Sequence, residues 1–188
     1  QQEYDPTQLV VLTPYLGQLQ LLRKSLADDS DDFSVLIGEV DMEELEAVDA
    51  VSVHGTPDNP NAPQRAERKP VRVSTIDNYQ GEEADVVVIS LVRSNAEGNI
   101  GFLYEPERVN VLLSRARHGQ IIIGNDKTFR RSAKGARLWG NLLDQMERDE
   151  QMYSGFPAFC QVHGSVADVE LSTPKAFEEA VPCGGCRL

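Results

Sequence analysis

Two stretches of this sequence combine residue types that can act on a phosphate group. The first runs from Ser74 to Asp85 and places Gln80, Gly81 and Glu83 between two apolar, β-branched segments. Polar groups at the ends of buried strands have a use, because ligands of open α/β sheets bind outside the carboxyl ends of strands. Glycine also permits a tight turn there. We interpret these three residues as ligand-binding, the alternative being that Gln80 and Glu83 merely begin a helix.

The second stretch is rich in arginine. Its apolar residues Val109, Leu112 and Ala116 follow a helical period, which predicts an amphipathic helix over Glu107–Arg117. That helix would carry Arg108 and Arg115 on one flank and Arg117 on the other. A guanidinium stays protonated and donates two parallel hydrogen bonds, so one fixed by a helix can stabilise charge on a transferring phosphoryl group. The alternative is a set of surface arginines.

All three cysteines lie near the C-terminal end of the sequence. Cys160-x-x-His163 is followed, after nineteen residues, by Cys183-x-x-Cys186. This paired spacing of thiolates and imidazole is typical of structural zinc sites. We therefore predict a Zn²⁺ site formed by Cys160, His163, Cys183 and Cys186, the alternative being unligated side chains.

Short β-branched segments alternate with helical patterns along the chain, which favours a parallel sheet flanked by helices. The predicted strands are Leu9–Leu12, Phe33–Ile37, Val71–Thr75, Asp85–Leu91 and Gln120–Gly124. The other predicted helices are Tyr15–Leu26 and Ala136–Glu150. Residues Val53–Pro70 are rich in Pro, Asn and Gly and are predicted to form a mobile loop. We expect an α/β domain over residues 1–152 and a small appendage over residues 153–188.

The formal net charge of −12 is unevenly distributed. Between Asp28 and Ala50 there are ten acidic residues and no basic ones, so we expect a solvated surface away from any nucleic acid. Between Pro106 and Arg137 there are eight Lys or Arg and two acids. A local basic stretch of this kind is compatible with binding to phosphate. The longest apolar run is far below the ~20 residues of a membrane span, so we expect no membrane partner and a cytoplasmic or nuclear location.

Read in chain order, the polar motifs resemble motifs IV, V and VI of Upf-like superfamily 1 RNA and DNA helicases, over roughly Leu9 to Asn125. The matching residues are Thr13-Pro14-Tyr15 with Gly17-Gln18, Asp77-x-Tyr79-Gln80-Gly81-x-Glu83-x-Asp85, Val92-Arg93-Ser94-Asn95, Ile100-Gly101-Phe102-Leu103 and Arg108-Val109-Asn110-Val111-x-x-Ser114-Arg115-Ala116-Arg117. The cysteine region is similar to that of helicases with NFX-type zinc fingers, through its Cys-x-x-His, Pro174, Phe177 and Gly184-Gly185-Cys186. In that pattern a further cysteine follows Gly184-Gly185-Cys186, so Cys183 is either an extra residue or a stand-in for the fourth ligand.

The resemblance implies a RecA-like, P-loop NTPase type fold and the role of the second motor lobe. ATP with Mg²⁺ would lie between this lobe and a first RecA-like lobe of the same polypeptide, with single-stranded RNA, or DNA, across both. Arg115 would be the arginine finger, and Gln80, Gly81 and Glu83 would share its nucleotide-facing edge. The candidates for contacting the strand are Thr13, Pro14, Thr75 and Arg93.

The sequence departs from the helicase pattern in two ways. Many Upf-like helicases have an arginine directly after the Gly-Gln of motif IV, where this chain has Leu19, and Arg23 one turn later is a candidate substitute. No G-x-x-x-x-G-K-[ST] loop occurs, so this chain alone is expected not to hydrolyse ATP. The other class of function left open is a non-catalytic RecA-like module that binds nucleic acid or acts as a scaffold.

Overall fold

The computed structural model describes residues 4–29, 34–49, 69–155, 159–160 and 164–165. The chain divides into two compact units, Gln1–Gly140 and Asn141–Leu188. The predicted mobile loop lies outside the described residues except for its last two, and Pro70 already belongs to a strand. None of the helices in the described ranges is both long and apolar enough to cross a membrane.

The first unit is built on a five-stranded sheet in which every pairing is parallel. Its strands are β1 (Leu9–Thr13), β2 (Ser34–Ile37), β3 (Pro70–Thr75), β4 (Ala84–Ser90) and β5 (Ala116–Ile123). Their spatial order is β2-β3-β1-β4-β5. The inner strands are apolar because both of their faces are covered. The predicted α/β fold with a parallel sheet is confirmed.

Helices connect these strands and extend beyond them. They are α1 (Leu16–Asp29), α2 (Glu39–Asp49), α3 (Pro106–Leu113), α4 (Asp126–Arg130) and α5 (Ala136–Arg148). Short 3-10 helices cover Pro6–Gln8 and Gly101–Tyr104. In the second unit, β6 (Phe159–Cys160) and β7 (Gly164–Ser165) form an antiparallel pair.

The predicted helix over Glu107–Arg117 is wrong at its C-terminal end. The helix α3 ends at Leu113, and Ala116 already begins β5. Pairing with β4 explains the early end, because Ala84 lies opposite Ala116 and the Ala84 amide donates to the Arg115 carbonyl at 3.0 Å. Arg115 therefore lies in the connection between α3 and β5, and Arg117 lies within β5, so neither is on a helix flank.

Buried apolar side chains of the helices pack within this unit. On one side Leu19 of α1, Leu45 of α2 and Val73 of β3 are buried against each other. Val109 and Leu112, on the inner face of α3, are also buried. Trp139 is buried as well, its ring packs 4.5 Å from that of Phe129, and its indole nitrogen donates to the Leu103 carbonyl at 2.7 Å.

The prediction that the acidic segment is solvated surface is wrong for one residue. Glu39, Glu43 and Glu46 of α2 are exposed, but Asp41 is only 1% exposed. Asp41 lies one turn before the buried Leu45 on the same helix face. A carboxylate in that position turns inward with its neighbour and requires hydrogen-bond donors.

Candidate nucleotide and nucleic-acid surface

The parallel sheet divides the predicted site residues between its two edges. Thr13 and Thr75 end the paired strands β1 and β3 and lie opposite each other in the register. Glu83 and Arg115, by contrast, directly precede the first residues of β4 and β5, which also pair. The candidates for strand contact thus lie at the carboxyl edge, and the arginine and acid of the nucleotide group lie at the amino edge.

Arg115 is held by three groups that carry no net charge. Its Nε donates to the Val111 carbonyl at 2.8 Å, one terminal nitrogen donates to the Glu82 carbonyl at 3.1 Å, and the other to the Ser114 hydroxyl at 2.7 Å. Within the described ranges no carboxylate forms an ion pair with it. The guanidinium is therefore fixed in direction while its positive charge is not neutralised by an acid, a combination that suits an incoming anion.

Glu83 pairs with Arg117 and not with Arg115. It accepts from Nε of Arg117 at 3.1 Å, and Arg117 also lies 3.8 Å from Asp85. The adjacent Glu82 is paired through its side chain with Arg72, at 2.8 Å for one of the two contacts. The connection therefore offers Arg115 a backbone carbonyl, while its two carboxylates neutralise other arginines.

Gln80 and Gly81 end the turn that links β3 to this connection. Gly81 has φ +86°, a left-handed conformation that favours glycine. Gln80 lines a pocket of about 150 Å³ together with Ile76, Asp77, Glu107, Arg108 and Val111. The pocket lies between the turn and α3, so Val111 both lines it and supplies the carbonyl that holds Arg115.

Tyr79 anchors this turn. It is 4% exposed, and the Arg72 guanidinium lies 4.9 Å from its ring centre. Burial is the main cause that raises the pKa of the Tyr79 phenol above its ordinary value of 10.0. The phenol is therefore neutral at physiological pH, although its neighbour in sequence, Gln80, is exposed.

Three of the four strand-contact candidates are buried within the lobe. Pro14 is buried, Thr13 is fully buried, and no group in the described parts of the chain hydrogen-bonds to its hydroxyl. Thr75 is 6% exposed. Only Arg93 is partly exposed, with Nε donating to the Tyr15 hydroxyl at 3.0 Å.

A buried cluster around Asp41, which sequence reasoning missed, holds the end of β3. Asp41 accepts from the hydroxyl of Thr75 at 2.7 Å, from its amide at 3.3 Å, and from the Asn78 amide side chain at 2.8 Å. The Ser74 hydroxyl also donates to it. The i, i+4 spacing of Asp41 and Leu45 was the available signal that this acid faces the core.

The role of Arg23 as a replacement for the missing motif IV arginine stays a prediction. Leu19 belongs to the core behind the sheet, and Arg23 lies at an exposed position of α1. No contact among the described residues joins Arg23 to Arg115. Of the zinc candidates, Cys160 lies in β6, whereas His163, Cys183 and Cys186 lie outside the described residues, so the metal site stays a prediction.

Comparison with known proteins adds an independent finding. A family model described as an AAA domain matches residues 1–127. NFX1-type zinc finger-containing protein 1 of Homo sapiens is 33% identical over 187 residues, covering 100% of this chain and 8% of that protein. The putative ATP-dependent RNA helicase ECM32 of Saccharomyces cerevisiae is 31% identical over 153 residues, covering 79% and 13%.

A third relative matches a shorter region more closely. The helicase required for RNAi-mediated heterochromatin assembly 1 of Schizosaccharomyces pombe is 46% identical over 80 residues, which is 43% of this chain and 8% of that protein. The chain therefore spans 13% or less of the length of each of these three relatives.

Proposed function

Since this chain belongs to the AAA domain family of Upf-like superfamily 1 helicases, we propose that it is the second RecA-like motor lobe of an ATP-dependent RNA helicase. Arg115 completes the ATP site as an arginine finger. The observation that carries this proposal is the guanidinium fixed by the carbonyls of Val111 and Glu82 and the hydroxyl of Ser114, without an acidic partner among the described residues. Such a group is ready to donate to phosphate oxygens without first leaving a carboxylate.

Gln80, Gly81 and Glu83 would complete this lobe's share of the proposed nucleotide site. Gln80 and Gly81 would contact the nucleotide from the turn before β4, and Glu83 would act by holding Arg117 in place. ATP with Mg²⁺ would be shared with the first RecA-like lobe of the same polypeptide. The phosphoryl transfer needs positioning and charge stabilisation more than covalent chemistry, and a fixed guanidinium supplies both.

The nucleic acid would cross the carboxyl edge of the sheet as a single strand, RNA in the leading proposal and DNA in the alternative. Arg93 is a partly exposed cation there and would contact phosphate, while the buried Thr13, Pro14 and Thr75 would shape the edge beneath it. Contacts of this kind to the backbone read no base, so we expect little sequence preference. We place this activity in the cytoplasm or nucleus.

The first prediction tests Arg115 in the full-length protein that contains this lobe. Arg115→Ala should lower kcat for strand-stimulated ATP hydrolysis by ~10³-fold or more, because the finger acts on charge that develops in the transition state. Arg115→Lys should lose nearly as much, since an ammonium does not reproduce the planar fork. Steady-state turnover with single-stranded RNA and with single-stranded DNA measures both effects and compares the two substrates.

The matched control is Arg131→Ala, which removes an exposed arginine of the same basic stretch. It should leave turnover unchanged. Wild-type turnover in Arg115→Ala, with the thermal unfolding curve also unchanged, would remove Arg115 from the mechanism. A wild-type protein without ATP turnover would instead favour a non-catalytic binding module.

A further inference from the structure

Four side chains from four separate segments form a continuous row in this lobe. The Arg93 guanidinium lies 4.5 Å from the ring centre of Tyr15, the ring of Tyr15 lies 4.8 Å from that of Phe102, and the Arg108 guanidinium lies 4.3 Å from the Phe102 ring centre. Each step is a cation–π or aromatic contact. We call these four residues the arginine–aromatic row.

The two ends of the row reach the two parts of the proposed site. Arg93 is a partly exposed cation at the carboxyl edge, where the strand is proposed to bind. At the other end Arg108 lines the pocket that also contains Gln80. Arg108 donates to Asp77 at 2.8 Å and to Glu105 at 2.9 Å, so its position is linked to the turn that carries Gln80.

The middle of the row is held in place tightly. The Tyr15 hydroxyl accepts from Arg93 at 3.0 Å and donates to the Ile100 carbonyl at 3.3 Å. Gly101 has φ +59°, and a Cβ atom there would lie 2.3 Å from the Tyr15 oxygen. Glycine is thus required at position 101 by its backbone conformation and by the close approach of Tyr15.

The backbone before Arg93 is strained. Val92 has φ +66°, which is a genuine outlier for a β-branched residue, and its side chain is 40% exposed. The Arg93 amide donates to the Leu91 carbonyl at 2.7 Å, which closes a tight turn around Val92. Strain of this kind persists where surrounding contacts impose it, and the next residue, Arg93, is fixed by its contacts with Tyr15.

We propose that the arginine–aromatic row couples strand binding at Arg93 to the nucleotide side of the lobe, with Tyr15 and Phe102 as positioning residues. The proposal rests on the proposed helicase function. A strand phosphate that draws the Arg93 guanidinium away from Tyr15 frees the tyrosine ring to move against Phe102. Arg108 follows its ring, and its bond to Asp77 then shifts the turn that ends at Gln80. Such coupling is reciprocal, so a bound nucleotide changes strand affinity by the same factor.

The experiment uses Tyr15→Leu and Phe102→Leu in the full-length protein, with a single-stranded uridine homopolymer as the strand. Turnover is measured with and without saturating strand, together with KM for ATP and the strand Kd without nucleotide. We expect the ratio of stimulated to basal kcat to fall roughly 10-fold, within the range of measured coupling factors. Basal kcat and KM should stay within about twofold of wild type in both variants, and so should the strand Kd in Phe102→Leu, which leaves Tyr15 against Arg93.

Conservative and matched variants separate coupling from a structural role. Tyr15→Phe and Phe102→Tyr keep both rings and should retain most of the stimulation. Tyr104 lies in the same 3-10 helix as Phe102, but its ring contacts Lys134 instead of the row. Tyr104→Leu should therefore keep the full ratio of stimulated to basal kcat.

Three outcomes would count against the coupling role of the row, and a fourth against the proposed function. Phe102→Leu with the full wild-type ratio would overturn the coupling role of the row. So would an equal loss in Tyr104→Leu, or a parallel fall of basal and stimulated kcat, because each indicates a structural effect. A wild-type protein whose turnover does not respond to any strand would instead refute the proposed function itself.

Discussion

At the residue scale, Arg115 and Arg117 are only two positions apart but differ in what surrounds their charge. Arg117 faces the carboxylates of Glu83 and Asp85, whereas Arg115 contacts carbonyl and hydroxyl oxygens. An incoming phosphate would have to compete with acids for Arg117 and with neutral acceptors for Arg115. The sequence supplies both arginines in equivalent chemical form, so this difference depends on the folded contacts.

Asp41 gives a prediction at the scale of single residues. Asp41→Ala should lower the free energy of unfolding by about 2–4 kcal/mol, because the buried hydroxyls of Ser74 and Thr75 and the amide of Asn78 lose their acceptor. Asp41→Asn should also destabilise, since its amide group presents donors to donors. Urea unfolding of this chain measures both variants.

The control for Asp41 lies on the same helix. Glu43→Gln changes an exposed acid of α2 and should stay within about 0.5 kcal/mol of wild type. If Asp41→Ala unfolds at the same urea concentration as Glu43→Gln, the buried cluster contributes nothing to stability.

At the element scale, the sequence predicts strands better than it predicts the end of α3. The apolar runs of β1, β3 and β4 identify buried parallel strands without help from the rest of the chain. The end of α3 depends on the pairing of Ala84 with Ala116, a contact between residues distant in sequence. A helical period that continues by chance to Ala116 cannot reveal it.

In the candidate site, too, the sequence predicts some residues but misses contacts between distant segments. Residue types and spacing identified Arg115 and Gln80 as candidates, because charged and amide groups beside buried strands are informative in themselves, and the resemblance to Upf-like helicases added Arg93. Spacing did not reveal that the Thr75 hydroxyl is used by Asp41 or that Tyr15 contacts Arg93, since both contacts join distant segments.

The acidic helix α2 gives a prediction at this scale. Its exposed acids Glu39, Glu43 and Glu46 are expected to lie away from the strand, so changing all three to Gln should leave strand Kd within about twofold at low salt. Arg93→Ala should weaken binding several-fold under the same conditions. Fluorescence anisotropy with labelled single-stranded RNA measures both, and a tenfold tighter complex for the triple variant would bring α2 close to the bound phosphates.

At the scale of the whole molecule, the net charge of −12 hides two regions of opposite character. The helix α2 lies within the acidic segment from Asp28 to Ala50. The connection that contains Arg115 lies within the basic stretch from Pro106 to Arg137. A protein can therefore be strongly acidic overall and still present cations where phosphate is proposed to bind, because screening limits the reach of distant charges to about 10 Å.

The last prediction concerns the C-terminal residues, which we propose to be the start of a zinc-binding module. Cys160, His163 and Cys186 are expected to hold one Zn²⁺, with Cys183 or a residue beyond Leu188 as the fourth ligand, because structural zinc takes four donors. Metal analysis of this chain and of a version continuing past Leu188, each with and without Cys183→Ser, decides between the two. Loss of zinc from the shorter chain alone identifies Cys183 as a stand-in ligand.

A chelator provides the independent readout for the same site. Metal binding at such a site is also folding free energy, so removal of zinc should make residues 153–188 sensitive to protease. Cleavage within the RecA-like residues 1–152 should not change with the chelator, because their stability comes from the packed sheet and helices instead of the metal. If neither unmutated version binds stoichiometric zinc and protease cleavage does not respond to the chelator, these cysteines do not form a zinc site.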